Sequence, residues 1–434
     1  MTISPPTLLP VHPHVQLPPV RDSLRRGDMR VLLAGPPFFG LLYPMVSLAH
    51  ALRAAGHDVL VATCGAAVGH AERAGLNTID CAPGIDPDAL YARMEKNKGD
   101  RKPPAPGERG EPPKGKGFSF FSDEMADTMV KVAEDWRPDL VVHTPLGVAG
   151  QLVAARLGVP SVLHAVGFGH TGAHVRMINN ALAPAYERHG LEGPAPVAAW
   201  LDIAPPSMST AVEPRRWFMR YVPYNGGGRL PDWLSTSRKR PRVTVTLGTV
   251  QPVVDGVSPV KWVVDAARET DAEFVLALGG GDLSALGTLP DNVRPVDWIP
   301  LGLLLARSDA VVHHGGAGTT LTALDAGLPQ IVLGEGADRP ANAAAVRARG
   351  CGLVPDGSDR PDGSNRSDGP GGPGGPGGSV GPGDLTAGLI DRLLTDDALR
   401  AAARDTAREM AGMPSPAETV PRLVELARTG GELR

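Results

Sequence analysis

A chain of 434 residues is too long for one ordinary hydrophobic core, so two domains are expected, and a hydrophobic fraction of 42% supplies what they must bury. The formal net charge of −4, with no basic stripe interleaved with aromatics, excludes bulk attraction to nucleic acid or to an anionic membrane. Cys64, Cys81 and Cys351 stand far apart without metal-type spacing, which fits buried reduced thiols in a cytoplasmic protein rather than a disulfide framework.

Residues 1–28 mix prolines with isolated apolar positions, show no signal-peptide core and read as a disordered lead. Order is expected from Met29. Residues 30–34 form a strand, Gly35-Pro36-Pro37-Phe38-Phe39-Gly40 a loop, and Met45, Val46, Leu48, Ala49 and Leu52 recur at helical spacing. A second strand follows at 59–62. This βαβ opening lacks the G-x-G-x-x-G of dinucleotide enzymes, which argues against nicotinamide or flavin chemistry. Residues 95–117 turn to Lys, Arg, Pro and Gly and are expected to be a mobile loop. Ser122 is placed to cap a helix running to Trp136. A strand at 140–142 then delivers His143 and Thr144 to its C-terminal end, where ligands of open α/β sheets collect. A helix at 147–157 and a strand at 161–164 follow.

Periodicity weakens between Trp200 and Arg242. The first domain is therefore expected over 29–225, a linker over 226–241 and a second domain over 242–413, with the glycine- and proline-rich 356–384 as a disordered insertion. The last helix, in 414–434, stands apart beyond Pro414-Ser415-Pro416. The second array restarts with a strand at 243–247 and reaches Ala310-Val311-Val312-His313-His314-Gly315-Gly316-Ala317-Gly318-Thr319-Thr320. A β-branched run ends in two imidazoles, and small residues turn the backbone into a helix start. Free N–H groups and the helix dipole there favour a phosphate. Two βα arrays imply two doubly wound domains facing across a cleft. Asp86-Pro87-Asp88 has the outline of a metal-binding pair, but a proline between carboxylates reads as a turn, and no metal site is expected.

The 312–320 box, with Trp298-Ile299-Pro300 before it and Gly336-Ala337-Asp338-Arg339-Pro340-Ala341-Asn342 after it, resembles the donor-binding segment of GT-B glycosyltransferases. It resembles more narrowly the actinobacterial enzymes that attach deoxysugars to polyketide and other natural-product scaffolds. Residues 30–63, Tyr221-Val222-Pro223-Tyr224-Asn225 and Thr246-Leu247-Gly248-Thr249 add matches. The resemblance implies that Trp298 stacks on the donor base and the Ile299 backbone pairs with its edge. His314, aided by neighbouring His313, and the amides of Gly316, Ala317, Gly318 and Thr319 would cradle the diphosphate, with Thr249 reaching it from a second loop. Asp338 and its neighbour Arg339 would meet the sugar, Arg339 standing where a glutamine is common. Phe38, Phe39, Leu41, Phe118, Phe120, Phe168 and His170 would border an apolar acceptor pocket. The C-terminal helix would cross back to the first domain.

The implied chemistry is an inverting transfer from a nucleoside-diphosphate sugar, thymidine diphosphate first among the nucleotides, to a small-molecule aglycone. It needs no metal and no covalently bound cofactor. A monomer or a homodimer, with or without an activator protein, is compatible with it. The family's usual base, a histidine ahead of the proline that opens the first helix, is replaced by Leu41, and its usual carboxylate partner by Thr144. Three explanations stand: His143, or else His164 or His170, serves as base; the acceptor is an acidic phenol or activated aromatic carbon; or the chain binds nucleotide sugar or a partner enzyme with weak catalysis. A nucleotide-sugar 2-epimerase shares the architecture but leans on carboxylates that these loops largely lack.

Overall fold

The computed structural model describes residues 28–86, 119–168, 172–209, 213, 215–248, 258–279, 283–334, 338–355 and 385–431. The expected disordered lead up to residue 27, the 95–117 loop and the 356–384 insertion lie outside the described residues, as do Phe118, His170 and Thr249.

Strands β1 (Arg30–Ala34), β2 (Asp58–Thr63), β3 (Asn77–Asp80), β4 (Leu140–His143), β5 (Ser161–His164), β6 (Ala199–Asp202) and β7 (Arg216–Phe218) make a seven-stranded sheet in the order β3-β2-β1-β4-β5-β6-β7. Strands β8 (Arg242–Thr246), β9 (Glu273–Ala277), β10 (Val293–Val296), β11 (Ala310–His313), β12 (Gln330–Val332) and β13 (Gly352–Leu353) make a six-stranded one in the order β10-β9-β8-β11-β12-β13. Every pairing is parallel. Helices cover both faces, so central strands such as Arg-Val-Leu-Leu-Ala and Ala-Val-Val-His are buried along their whole length. In both sheets the order reverses between the first and fourth strands, at β1/β4 and at β8/β11. A ligand crevice opens at such reversals, beyond the C-terminal strand ends.

The Phe39–Ala54 helix packs against both the Ala317–Asp325 helix and the last helix, Pro416–Arg428. One apolar cluster joins Leu42, Met45 and Leu52 of the first domain to Leu321 and Leu324 of the second and to Leu423 and Leu426 of the last helix. That helix starts on a capping box, Ser415 with Glu418, and Arg220 donates its backbone N–H to the Pro414 carbonyl at 2.7 Å. No helix among the described residues is long and apolar enough to cross a membrane.

The structure corrects several local expectations. The helix assigned a Ser122 cap already includes Ser119, and the buried Ser122 hydroxyl donates instead to the Leu146 carbonyl at 3.2 Å, tying the helix to the loop after β4. Strands β3, β6 and β7 fall where no strand was expected. They are three or four residues long and of mixed polarity, so neighbouring strands, not their own pattern, select them.

Candidate active site

The β8/β11 reversal carries the phosphate-type box. His313, fully buried at the end of β11, accepts the Gly315 N–H on Nδ1 at 3.0 Å, and its Nε2 meets Gln330 Oε1 at 2.8 Å. Nδ1 is an acceptor, so the proton sits on Nε2 and donates to Gln330. Burial pushes this imidazole down to about 4. His313 therefore holds the turn rather than facing a ligand. Gly315 takes φ +93°, a left-handed conformation that side chains disfavour, and the chain then enters the Ala317–Asp325 helix.

His314 points the other way. Its backbone N–H bonds the Thr246 carbonyl at 3.3 Å, its Nδ1 is buried without a partner, and Nε2 lies against Gly248 and Gly316 so closely that a side chain on either would collide with it. Burial first, then the Arg339 charge and His313, hold the ring well below its ordinary value. The imidazole is neutral. An Nε2 proton matched to an anion is the tautomer that leaves only a lone pair, not an N–H, stranded at Nδ1.

The helix start has no side-chain cap, and its first bond runs from the Thr320 N–H to the Gly316 carbonyl at 2.9 Å. The N–H groups of Ala317, Gly318 and Thr319 consequently project from the helix beside His314. The next helix, Arg339–Arg349, begins at the same place. Buried Asn342 donates from Nδ2 to the Gly315 carbonyl at 2.8 Å and to Asp338 Oδ2 at 3.1 Å, fastening the two helix starts together. Asn342 was quoted in the sequence motif without a role, although its place four residues after Asp338 puts both on one helix face.

Trp298 is half exposed, while Ile299 behind it is buried. The interdomain linker runs alongside. Asn225 Oδ1 accepts the Gly302 N–H at 2.9 Å, and a Cβ on Gly226 would stand 3.7 Å from the Trp298 ring. Tyr221 Oη lies 3.3 Å from Thr322 Oγ1, pinning the end of the first domain to the second.

Across the cleft, the β1/β4 reversal holds His143 and Thr144, both fully buried. His143 Nδ1 donates to the Thr144 carbonyl at 3.1 Å, and its Nε2, like Thr144 Oγ1, has no partner. His164 repeats the arrangement at the end of β5, with Nδ1 2.6 Å from the Ala165 carbonyl. Burial pushes both imidazoles down to about 4. Leu41 is half-buried and packs on the same apolar cluster as Leu146. Phe38 meets Phe121 edge-on at 5.2 Å, and Phe121 meets Phe120 at 5.8 Å. Phe39 turns away from that group to stack on His70 at 4.8 Å, beside Tyr43. Phe168 packs on the cluster shared by the two domains. The described pocket residues thus fall into two groups, and Phe121, which the sequence did not single out, organises one of them.

Two doubly wound domains, with an uncapped helix start and a neutral imidazole facing a crevice in the other sheet, define a GT-B glycosyltransferase. The chain belongs to the family described as Erythromycin biosynthesis protein CIII-like, whose N-terminal domain model matches residues 50–248 and C-terminal domain model residues 261–366. It is 38% identical over 406 residues to the elloramycin glycosyltransferase ElmGT of Streptomyces olivaceus, covering 91% of this chain and 97% of that one. Among solved structures it is similar to the glycosyltransferase SnogD from Streptomyces nogalater, with a TM-score of 0.74, 37% identity, and coverage of 92% of this chain and 99% of that one. It is also similar to the Streptomyces sp. SF2575 glycosyltransferase SsfS6 complexed with thymidine diphosphate, at a TM-score of 0.69, 29% identity, and coverage of 92% and 99%.

Proposed function

We propose that this glycosyltransferase moves a deoxysugar from thymidine diphosphate to a natural-product aglycone, an aromatic polyketide in the first instance, with inversion and without a metal. The observation that carries it is the uncapped Ala317–Asp325 helix start beside His314 Nε2, at the strand-order reversal. The thymidine diphosphate complex of the similar SsfS6 supports the nucleotide.

The acceptor oxygen or carbon attacks the anomeric carbon from the first domain's side while the bond from that carbon to the diphosphate oxygen breaks on the opposite face. The diphosphate leaves with the bonding pair. Its growing charge meets the amides of Ala317, Gly318 and Thr319 and the His314 Nε2 proton, donors fixed before the reaction begins. Asp338, held by Asn342, accepts from sugar hydroxyls, and Trp298 carries the base.

The acceptor's proton is the harder question, because Leu41 cannot take it. His143 has the tautomer of a base, with its lone pair on Nε2, but burial makes it a weak one. A weak base suits an acceptor that releases its proton readily, a phenol or an activated aromatic carbon. The test is mass spectrometry and proton NMR of the products formed when the protein is incubated with thymidine-diphosphate deoxysugars and phenolic aglycones, with and without EDTA. A new glycoside of inverted anomeric configuration, formed equally in EDTA, is expected. Nucleotide binding without transfer, or a 2-epimeric sugar released without acceptor, would overturn the proposal.

A further inference from the structure

Gly167 follows β5 in a backbone conformation that any residue can adopt, so the chain's path does not require glycine there. What requires it lies in the other domain. A Cβ on Gly167 would overlap the Cβ of Ala317, the first residue of the Ala317–Asp325 helix, and would stand 3.9 Å from Asp338 Oδ2. Neither side can yield easily. The loop is rooted by the Ala165 N–H on the Leu201 carbonyl at 2.8 Å and by buried Val166, and Phe168 packs on the cluster containing Leu321 and Leu324. Ala317 is fixed in the first turn of its helix.

We propose that Gly167 is a positioning residue that sets how closely the two domains approach: its missing side chain lets the loop after β5 seat directly on the diphosphate cradle. This rests on the assignment of that helix start to the diphosphate. Apolar carbons rest at about 3.5–4.0 Å, so any side chain at 167 must hold the domains apart by roughly an ångström or more. A misplacement of about that size at a reacting centre costs up to roughly a hundredfold in rate. The opened gap would also admit water to the cradle, raising donor hydrolysis relative to transfer.

The test combines kinetics with an interdomain distance. Gly167→Val should lower kcat by about tenfold to a hundredfold and raise the hydrolysis-to-transfer ratio, with thymidine diphosphate affinity held within about twofold because that ligand sits on the second domain. Gly167→Ala should show a milder loss, and adding Ala317→Gly should restore most of it by deleting the opposing methyl. Spin labels on cysteines introduced at exposed Ala183 and Glu269, with the native cysteines buried, should report a longer distance in the valine variant. An unchanged distance in the valine variant, or no rescue in the double variant, overturns the proposal. Failure of the unaltered protein to bind thymidine diphosphate would instead sink the donor-site assignment, and the distance measurement would still decide the role of Gly167.

Discussion

The Gly315 N–H donates to His313 Nδ1 at 3.0 Å, and this one bond fixes the left-handed turn that separates β11 from the Ala317–Asp325 helix. His313→Ala removes the acceptor, leaves Gln330 Oε1 without its donor and opens a cavity in a fully buried site. The expected loss is about 2–4 kcal/mol in urea unfolding, accompanied by weaker thymidine diphosphate binding in calorimetry. A variant of full stability and affinity would show that the turn holds without it.

His314 is expected to act on the leaving diphosphate. His314→Ala should lower kcat by about 10²–10³ while disturbing stability little, and His314→Gln, which can offer an N–H from a similar position, should retain more activity than the alanine variant. Steady-state rates of the three proteins check this. Equal loss in both variants would mean that shape, not a donated proton, is what matters.

Trp298 is half exposed, so its removal should be read chiefly in binding. Trp298→Ala is expected to raise the donor KM by an amount equivalent to about 1–3 kcal/mol of base stacking, with kcat and melting temperature nearly unchanged, and Trp298→Phe should recover part of it. A large fall in kcat at saturating donor would contradict the stacking role.

Histidines held neutral by burial, His314 among them, give the fold a pH dependence of definite sign. His143, His164 and His313 sit at about 4 in the native state against 6.5 in the unfolded chain. Between those values the unfolded chain takes up protons that the native protein refuses. Their contribution to stability is therefore fully present above about pH 6.5 and is lost, by up to about 1.4 kcal/mol per pH unit for each histidine, as pH falls to about 4. Urea midpoints from pH 7 to pH 5 should show the decline, and a flat profile across that range would mean that the three rings charge in place.

The strands around the donor site were legible because each is a β-branched run ending in glycine or histidine, and fully buried parallel strands must be apolar on both faces. The short β3, β6 and β7 were not, since neighbouring strands select them. Nor does sequence separate the two adjacent imidazoles: strand alternation guarantees that His313 and His314 face opposite ways, but which one faces inward is set by Gln330, seventeen residues on. The Asn342 link depends on where the Arg339–Arg349 helix meets Gly315, and the need for glycine at 167 depends on a helix 150 positions away. Contacts between domains leave no local signature.

The most direct test of the whole account is a crystal structure with thymidine diphosphate bound. The diphosphate oxygens are expected within hydrogen-bond distance of the Ala317, Gly318 and Thr319 amides and His314 Nε2, with the base on the Trp298 face. A nucleotide lodged elsewhere, or those amides closed off by the protein's own atoms, would contradict it.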